Sequence, residues 1–203
     1  MATTQQAKVK TNTTKGSVCK INAEPVKFAQ LWAAFPSGNP YVDPKTGEPP
    51  VGYDNQCAIR VSVAIHGVGI DMKSFTPAYV DVKPGKVIGR IMLNGKYTAT
   101  RADELASWLK RQPFCGLPQK PEDITGEAWE SKARGRTGII FFGDYWTRDG
   151  EGASQASGGH IDLWNGSKLT GFGTGLRVRL NIVIPGIWSD FRKAKTILFF
   201  PVQ

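Results

Sequence analysis

The sequence predicts an α+β protein in which helices come first and an antiparallel sheet follows. Apolar residues with helical spacing lie in the first half of the chain, in the segments 26–35, 54–65 and 101–111. Short apolar runs bounded by glycine or turn residues lie in the second half, at 137–143, 158–166, 176–184 and 196–202. This order of elements favours one layer of helices packed on one sheet.

The first and third helices have identifiable ends. In 26–35 the apolar residues recur at i, i+3, i+4 and i+7, and Pro36 ends the helix. In 101–111 acidic residues come early and basic residues late, as the helix dipole favours, and Thr100 is the predicted N-cap. The segments between the elements are predicted to be irregular: a loop over 36–52, mixed loop and short extended pieces over 70–100, and polar turns over 113–137.

The second helix carries the first residue of chemical interest. Asp54 or Asn55 is its predicted N-cap, and the glycines within 67–69 end it, although the Ile and Val residues of this run also suit a strand. Cys57 therefore falls in the first turn, at the positive end of the helix dipole. Such a position activates a thiol as a nucleophile.

An activated thiol also needs a neighbouring base, and the chain has only two histidines. His66 lies nine residues after Cys57, about half a turn around the helix, and we expect it past the helix end, away from the thiol. His160 lies on a predicted strand after Gly158 and Gly159, which allow other backbone to approach closely. The sequence thus favours a Cys57–His160 dyad, with a cysteine buried as inert packing as the alternative.

A third group should orient the imidazole of the dyad. Asp162 follows His160 by two residues, so both side chains lie on one face of the strand, about 6.5–7 Å apart at their origins. A carboxylate and an imidazole can bridge that separation. The alternative is that Asp162 is an exposed acid next to a turn, which Asn165-Gly166 predicts.

The oxyanion formed during acyl transfer needs hydrogen-bond donors. The backbone N–H of Cys57 is one candidate, because the first N–H groups of a helix lack partners within the helix. The side chain of Gln56 is a second candidate donor. Tyr53, Asp54 and Asn55 are predicted to line the substrate cleft.

Composition indicates one domain with an anionic partner. We expect residues 1–20 to be a flexible polar tail and 21–203 a single domain. The net charge of +9 favours anionic partners such as nucleic acid, anionic lipid or the bacterial cell wall, although dispersed Lys and Arg predict no nucleic-acid-binding stripe. The sequence also lacks an 18-residue apolar stretch and a signal peptide's apolar segment. We therefore expect no membrane span, and synthesis in the cytoplasm without a signal peptide.

The cysteine pattern argues against a metal centre of the zinc-ribbon type. The chain has three cysteines and no CxxC pair. An odd number leaves at least one thiol free within a single chain. Cys19 and Cys115 could form a disulfide, although their spacing does not require one.

Two segments resemble the type VI secretion amidase effector 4 family. Residues 55–62, Asn-Gln-Cys-Ala-Ile-Arg-Val-Ser, are similar to its nucleophile helix, and residues 158–166, Gly-Gly-His-Ile-Asp-Leu-Trp-Asn-Gly, to its histidine strand. The spacing of about a hundred residues between the two motifs also agrees. The resemblance covers roughly 26–202 and is strong in these two motifs.

The resemblance implies a papain-like fold of the NlpC type, with N-terminal helices packed on an antiparallel sheet. It implies a cysteine amidase, without metal or cofactor, that hydrolyses the amide between D-glutamate and meso-diaminopimelate in peptidoglycan stem peptides. It further implies secretion by the type VI machinery as an antibacterial toxin, action in the periplasm of target cells, and inhibition by a cognate immunity protein.

The sequence departs from the family pattern at the third catalytic position. In the family this residue is an aspartate about eleven residues after the histidine, where Gly171 stands here, followed by Phe172. Asp162 is the predicted replacement. Asp190, or an insertion that shifts the register, is the alternative.

Two other functions remain open at this stage. The chain could be a basic module that binds cell wall or nucleic acid without catalysis, with Cys57 in its core. It could instead be a cysteine deamidase or transferase that acts on protein glutamine through the same dyad. Alkylation of Cys57 separates the first alternative from an amidase, and substrate assays separate the second.

Overall fold

An antiparallel sheet and a layer of helices make up the computed structural model, which describes residues 24–146, 158–170 and 191–203. The described strands are β1 (Arg90–Leu93), β2 (Lys96–Ala99), β3 (Glu122–Asp123), β4 (Gly138–Trp146), β5 (Gly158–Trp164) and β6 (Thr196–Pro201). The described helices are α1 (Phe28–Ala33), α2 (Cys57–Gly67), α3 (Ala102–Leu109) and α4 (Trp129–Ala133), with a 3-10 helix at Phe191–Lys193. The predicted tail 1–20, the predicted strand 176–184 and Cys19 lie outside the described ranges.

The main sheet has the strand order β3-β6-β4-β5, and every neighbouring pair is antiparallel. Along β4, successive side chains point to opposite faces of the sheet, and both faces are buried. Ile139 and Phe141 of β4 face the cluster formed with α1, α2 and α3, whereas Ile140 and Phe142 face a second cluster around Trp129 of α4. Since both faces of β4 and β6 are covered, these two strands contain continuous apolar runs, which is why the sequence shows them clearly.

Helix α2 packs on the sheet and on the small hairpin of β1 and β2. The side chains of Val61 and Ile65 are fully buried in the first cluster. The hydroxyl of Ser62 donates to the Ala58 carbonyl at 2.8 Å and accepts the N–H of Ala99 in β2 at 3.2 Å. These contacts fix the helix that begins at the candidate nucleophile.

The ends of two helices differ from the prediction. The N-cap of α2 is Gln56, one residue after the predicted Asn55. The N-cap of α3 is Arg101 rather than Thr100, and the Thr100 N–H donates to the Gly89 carbonyl at 2.8 Å. The chain stays extended one residue further than predicted, beyond the end of β2.

The short extended pieces predicted within 70–100 are present as two strands, whereas the prediction for 113–137 is partly wrong. Within 70–100, β1 and β2 pair around Asn94 and Gly95, whose φ angles of 50° and 73° fit a type I′ turn. Within 113–137, the expectation of polar turns is wrong for α4, whose Trp129 is 4% exposed and packs edge-on against Phe142. None of the helices in the described ranges is long and apolar enough to cross a membrane.

Candidate active site

Cys57 is the first residue of α2 and is half-buried. Its backbone N–H donates to Oδ1 of Asn55 at 3.3 Å, the local turn by which asparagine commonly starts a helix. The side chain lies beside the first core cluster. The thiol is therefore held at the positive end of the α2 dipole, as the sequence predicts.

His160 lies on β5, the edge strand of the sheet formed by the described strands. It pairs in register with Phe142 of β4, so its side chain lies on the face of the second core cluster. Its ring stacks on Phe191 with 5.6 Å between centroids and 28° between planes. Since α2 covers the opposite face, the edge of β5 is where Cys57 and His160 can meet.

The imidazole of His160 contacts two partners. Cys57 is one of them: its side chain raises the pKa of His160, and the two residues line the same cavity. Its Nε2 lies 3.5 Å from Oδ2 of Asp162, which is 5% exposed and shares the same strand face. The structure thus brings together the three residues that the sequence predicts as catalytic.

The carboxylate of Asp162 is anchored on its other oxygen. Oδ1 accepts the backbone N–H of Leu163 at 2.7 Å and also the hydroxyl of Thr170. Thr170 lies just after the turn that follows β5, where Leu169 bridges back to Trp164. One oxygen of the carboxylate therefore faces the imidazole, and the other is held by Leu163 and Thr170.

These contacts control the protonation of His160. Burial alone would lower the pKa of His160, but hydrogen bonds to Asp162 and Cys57, with the charges on both, outweigh it. Together they raise the pKa of His160 from 6.5 to about 10. The protonated imidazole is thus favoured at neutral pH, and it is the partner that stabilises a neighbouring thiolate.

Two cavities flank Cys57, and each is open to solvent. One has a volume of about 410 Å³ and is lined by Gly52, Tyr53, Asn55, Cys57, Thr100, Arg101, Ala102 and Gly159. The other has a volume of about 530 Å³ and is lined by Phe35, Asn39, Asp54, Asn55, Gln56, Cys57, Arg60, His160, Ile161 and Asp162. Asn55 and Cys57 line both cavities.

The predicted cleft residues lie at the site, but Gln56 has another partner. Gln56 is 3% exposed, and its amide accepts the Tyr41 N–H at 3.0 Å and donates to the Tyr41 carbonyl at 2.5 Å. Tyr53 contacts the Tyr41 ring edge-on, with 5.0 Å between centroids. Gln56 therefore anchors the 36–52 loop beside the nucleophile. Asn55 and Tyr53 line the cavities as predicted.

His66 is separate from the site, but its predicted position past the helix end is wrong. It lies within the last turn of α2, and its Nε2 is 3.0 Å from the Tyr97 carbonyl. Burial is the main cause that lowers the pKa of His66, and the hydrogen bond to Tyr97 only partly opposes it. The helix continues through residue 67 because its buried face continues to Ile65.

Three further residues lie at the site but are not among the site residues predicted from the sequence. Thr170 contacts Asp162, and Phe191 contacts His160. Both contacts arise from the tertiary fold, so no local sequence pattern predicts them. Arg60 follows Cys57 by three residues, and helical spacing could have identified it. Its Nε donates to the Gly38 carbonyl at 3.0 Å, and the residue lines the larger cavity.

Some predictions fall on residues without a description. Gly171, Phe172 and Asp190 lie outside the described ranges, so Asp190 as the orienting acid is untested. The Cys19–Cys115 disulfide is untested for the same reason, and Cys115 itself is buried. Within the described part of the chain, no cluster of three or more His, Cys, Asp or Glu side chains could hold a metal ion.

Comparison with known proteins places the chain in a family. The family model described as type VI secretion system amidase effector protein 4, Tae4, matches residues 53–200, which include all three residues of the Cys57–His160–Asp162 cluster. The chain belongs to the Tae4 family. No curated protein sequence matches it.

Solved Tae4 structures share the fold. The Salmonella typhimurium Tae4/Tai4 effector–immunity structure is 17% identical, with a TM-score of 0.53 over 89% of this chain and 100% of that one. Salmonella typhimurium Tae4 bound to Enterobacter cloacae Tai4 is 19% identical, with a TM-score of 0.51 over 88% and 99%. Enterobacter cloacae Tae4 is 17% identical, with a TM-score of 0.50 over 89% and 98%. The predicted α+β, papain-like fold of a Tae4 amidase effector is confirmed.

Proposed function

We propose that this Tae4 family member is a cysteine amidase that hydrolyses the amide between D-glutamate and meso-diaminopimelate in peptidoglycan stem peptides. The observation that supports this most is the contact between the Cys57 thiol, at the start of α2, and the His160 imidazole, whose Nε2 faces Asp162. A nucleophile, a base and an orienting group in that order are the parts that acyl transfer requires.

The imidazole has two nitrogens with separate tasks in this proposal. Nε2 faces the Asp162 carboxylate at 3.5 Å, which leaves Nδ1 for the thiol of Cys57. Nδ1 takes the thiol proton, and Asp162 stabilises the imidazolium that results. The raised pKa of His160, about 10, supports an imidazolium at neutral pH.

The reaction proceeds in two halves. The sulfur of Cys57 attacks the amide carbonyl carbon, and the carbonyl electron pair moves onto oxygen. As the tetrahedral intermediate collapses, the C–N bond breaks and His160 gives its proton to the leaving amine, which leaves a thioester. His160 then takes a proton from water, the hydroxide attacks the thioester carbon, and the C–S bond breaks to release the carboxylic acid and the thiolate.

The developing oxyanion is assigned to the start of α2. The Cys57 N–H has only a long bond of 3.3 Å to Asn55, and a charged oxygen is a stronger acceptor than an amide oxygen. The substrate carbonyl therefore competes for this donor as it gains charge. Gln56 contributes by fixing the 36–52 loop through Tyr41.

The cavities suit a substrate that extends on both sides of the scissile bond. Cys57 lines both, so the acyl part and the amine part of a stem peptide would lie on opposite sides of the sulfur. Arg101 lines one cavity and Arg60 the other. Stem peptides carry free carboxylates, which guanidinium groups bind well. The net charge of +9 also favours an anionic wall.

The biological setting follows from family membership. We infer delivery by the type VI secretion machinery and action in the periplasm of target bacteria as an antibacterial toxin. The Salmonella typhimurium relative was solved with a Tai4 immunity protein, so we infer that a cognate immunity protein inhibits this chain. We also infer that the reaction needs no metal or cofactor, since the dyad supplies the nucleophile and the proton carrier.

Digestion of purified sacculi tests the proposal. The wild-type protein should release fragments whose masses correspond to cleavage between D-glutamate and meso-diaminopimelate. Cys57→Ala should fold and release none, whereas His66→Ala, altered at the histidine remote from the site, should keep most activity. An active Cys57→Ala protein would refute the proposal. Ammonia release from protein glutamine without muropeptide cleavage would assign the dyad to a deamidase instead.

A further inference from the structure

Thr170 occupies a fixed position next to the catalytic cluster. After β5 the chain turns through 165–168, where the Asn165 N–H donates to the Lys168 carbonyl at 3.1 Å. The Asn165 side chain accepts two backbone N–H groups of the same turn, at 3.1 and 3.0 Å. Leu169, 1% exposed, bridges back to Trp164. The hydroxyl of Thr170 therefore projects from an anchored segment.

The Asp162 carboxylate needs such an anchor because its contact with the base is long. The 3.5 Å between Oδ2 and Nε2 of His160 is at the limit for a hydrogen bond. The last torsion of an aspartate side chain has a broad preference, so the carboxylate is free to rotate unless it is held. A modest rotation would lose the contact with His160.

Among the described residues, two donors oppose that rotation, and both bind Oδ1. One is the Leu163 N–H at 2.7 Å, which belongs to the neighbouring residue and moves with Asp162. The other is the Thr170 hydroxyl, which comes from a separate segment. Thr170 is thus the donor that ties the carboxylate to a second part of the fold.

We propose that Thr170 is a positioning residue that acts through Asp162, holding the carboxylate so that its second oxygen faces the His160 imidazole. The effect on catalysis rests on the proposed amidase function, whereas the effect on the imidazole does not. The expected consequence is that loss of the hydroxyl weakens the Asp162–His160 contact and makes the imidazole easier to deprotonate.

The surroundings of His160 make its titration a clean readout. Its own strand presents Asp162, and α2 presents Cys57. Phe142 of β4 and Phe191 of the 3-10 helix present uncharged rings. Replacing Cys57 by alanine therefore leaves Asp162 as the titratable group in contact with the imidazole. Asp54 and Arg60 line the adjoining cavity and are unchanged across the variants.

The test has two measurements. The pKa of His160 is measured by NMR titration in proteins that carry Cys57→Ala, and kcat/KM on muropeptides is measured in proteins that retain Cys57. Thr170→Val keeps the side-chain shape and removes the hydroxyl. It should lower the His160 pKa by about one unit and kcat/KM by about tenfold, the change that corresponds to a lost hydrogen bond to a charged group. Thr170→Ser should restore both.

Thr137→Val is the matched control. Thr137 also lies next to the sheet and is part-buried, and its hydroxyl donates to the Val202 carbonyl at 2.6 Å, away from the cluster. It should leave the His160 pKa and kcat/KM unchanged. Adding Thr170→Val to Asp162→Asn should have no further effect on the pKa, because Thr170 acts through the carboxylate.

The inference is overturned if His160 titrates in Thr170→Val as in its parent, or if serine does not restore the pKa. Thr170→Ala provides a second removal of the hydroxyl should the valine protein fail to fold. The titration measures the pKa of His160 even if no muropeptide is cleaved. Failure of the proposed amidase function and failure of the Thr170 role are therefore distinguishable.

Discussion

Replacement of Asp162 by asparagine is the sharpest perturbation of the site. The change keeps the size of the side chain and removes the negative charge that lies 3.5 Å from Nε2 of His160. Burial lowers the pKa of His160, and the bonds to Asp162 and Cys57 raise it to about 10. Without the carboxylate, the effect of burial is opposed less strongly. We expect the pKa of His160 to fall by roughly 2 units, within the range for one close opposite charge.

The sign of the effect on stability follows from linkage. The pKa of His160 in the folded protein lies above its ordinary value of 6.5. Its proton therefore stabilises the fold fully below about pH 6.5, and this stabilisation is lost as the pH rises through about 10. At about 1.4 kcal/mol per pH unit, the whole difference is worth about 5 kcal/mol at most. A fall of 2 units removes about 2–3 kcal/mol of it at pH 7.

Urea unfolding between pH 5.5 and 10.5 measures how the free energy of unfolding depends on the protonation of His160. Both proteins carry Cys57→Ala, so that no thiol titrates alongside the imidazole. The free energy of unfolding of this parent should decline as the pH rises above about 6.5, and the decline should end below pH 10 because Cys57 no longer raises the pKa of His160. In Asp162→Asn the decline should end about 2 pH units lower and be correspondingly smaller. Equal pH dependence in the two proteins would refute the view that the Asp162 charge holds the proton on His160.

Two further predictions concern the nucleophile and the loop beside it. Iodoacetamide should alkylate Cys57 at neutral pH much faster than Cys115, which is 3% exposed. Mass spectrometry of peptides taken at successive times measures the two alkylation rates. Equal rates would mean that Cys57 is inert packing. Gln56→Leu should lower the free energy of unfolding by about 1–3 kcal/mol and reduce cleavage, because it leaves the Tyr41 N–H and carbonyl unpaired. Urea unfolding with an unchanged midpoint would contradict the anchoring role of Gln56.

The elements that carry the site were predictable because their patterns are local. Strand periodicity places His160 and Asp162 on one face, and the structure brings them to 3.5 Å. The first turn of a helix likewise follows from the polar residues before Cys57. The contact between Cys57 and His160 joins residues about a hundred positions apart, and its geometry comes from helix and sheet packing, which single-sequence patterns do not encode.

The incorrect predictions fall where tertiary contacts override local patterns. Thr100 is a good N-cap by residue type, but the backbone stays extended through Arg101, so the helix starts one residue later. Helix α4 was missed because its 5 residues are too few to show a period, although Trp129 is buried between Phe142 and Trp164. Tertiary contacts decide both outcomes over propensity.

The position of the base on an edge strand makes one glycine important for the geometry of the site. Cys57 belongs to the helix layer, whereas the side chain of His160 lies on the opposite face of β5, so the two meet around the edge of that strand. Just before the histidine, a Cβ on Gly159 would lie 3.1 Å from the Phe142 carbonyl oxygen and 3.6 Å from Cβ of Ala102 in α3. The approach to Phe142 would force β4 and β5 apart by a few tenths of an ångström, whereas the distance to Ala102 is an ordinary van der Waals contact. Glycine at 159 therefore allows β5 to lie close to the backbone of β4 at the residue before the base, which gives the second glycine of the Gly-Gly-His motif a physical reason.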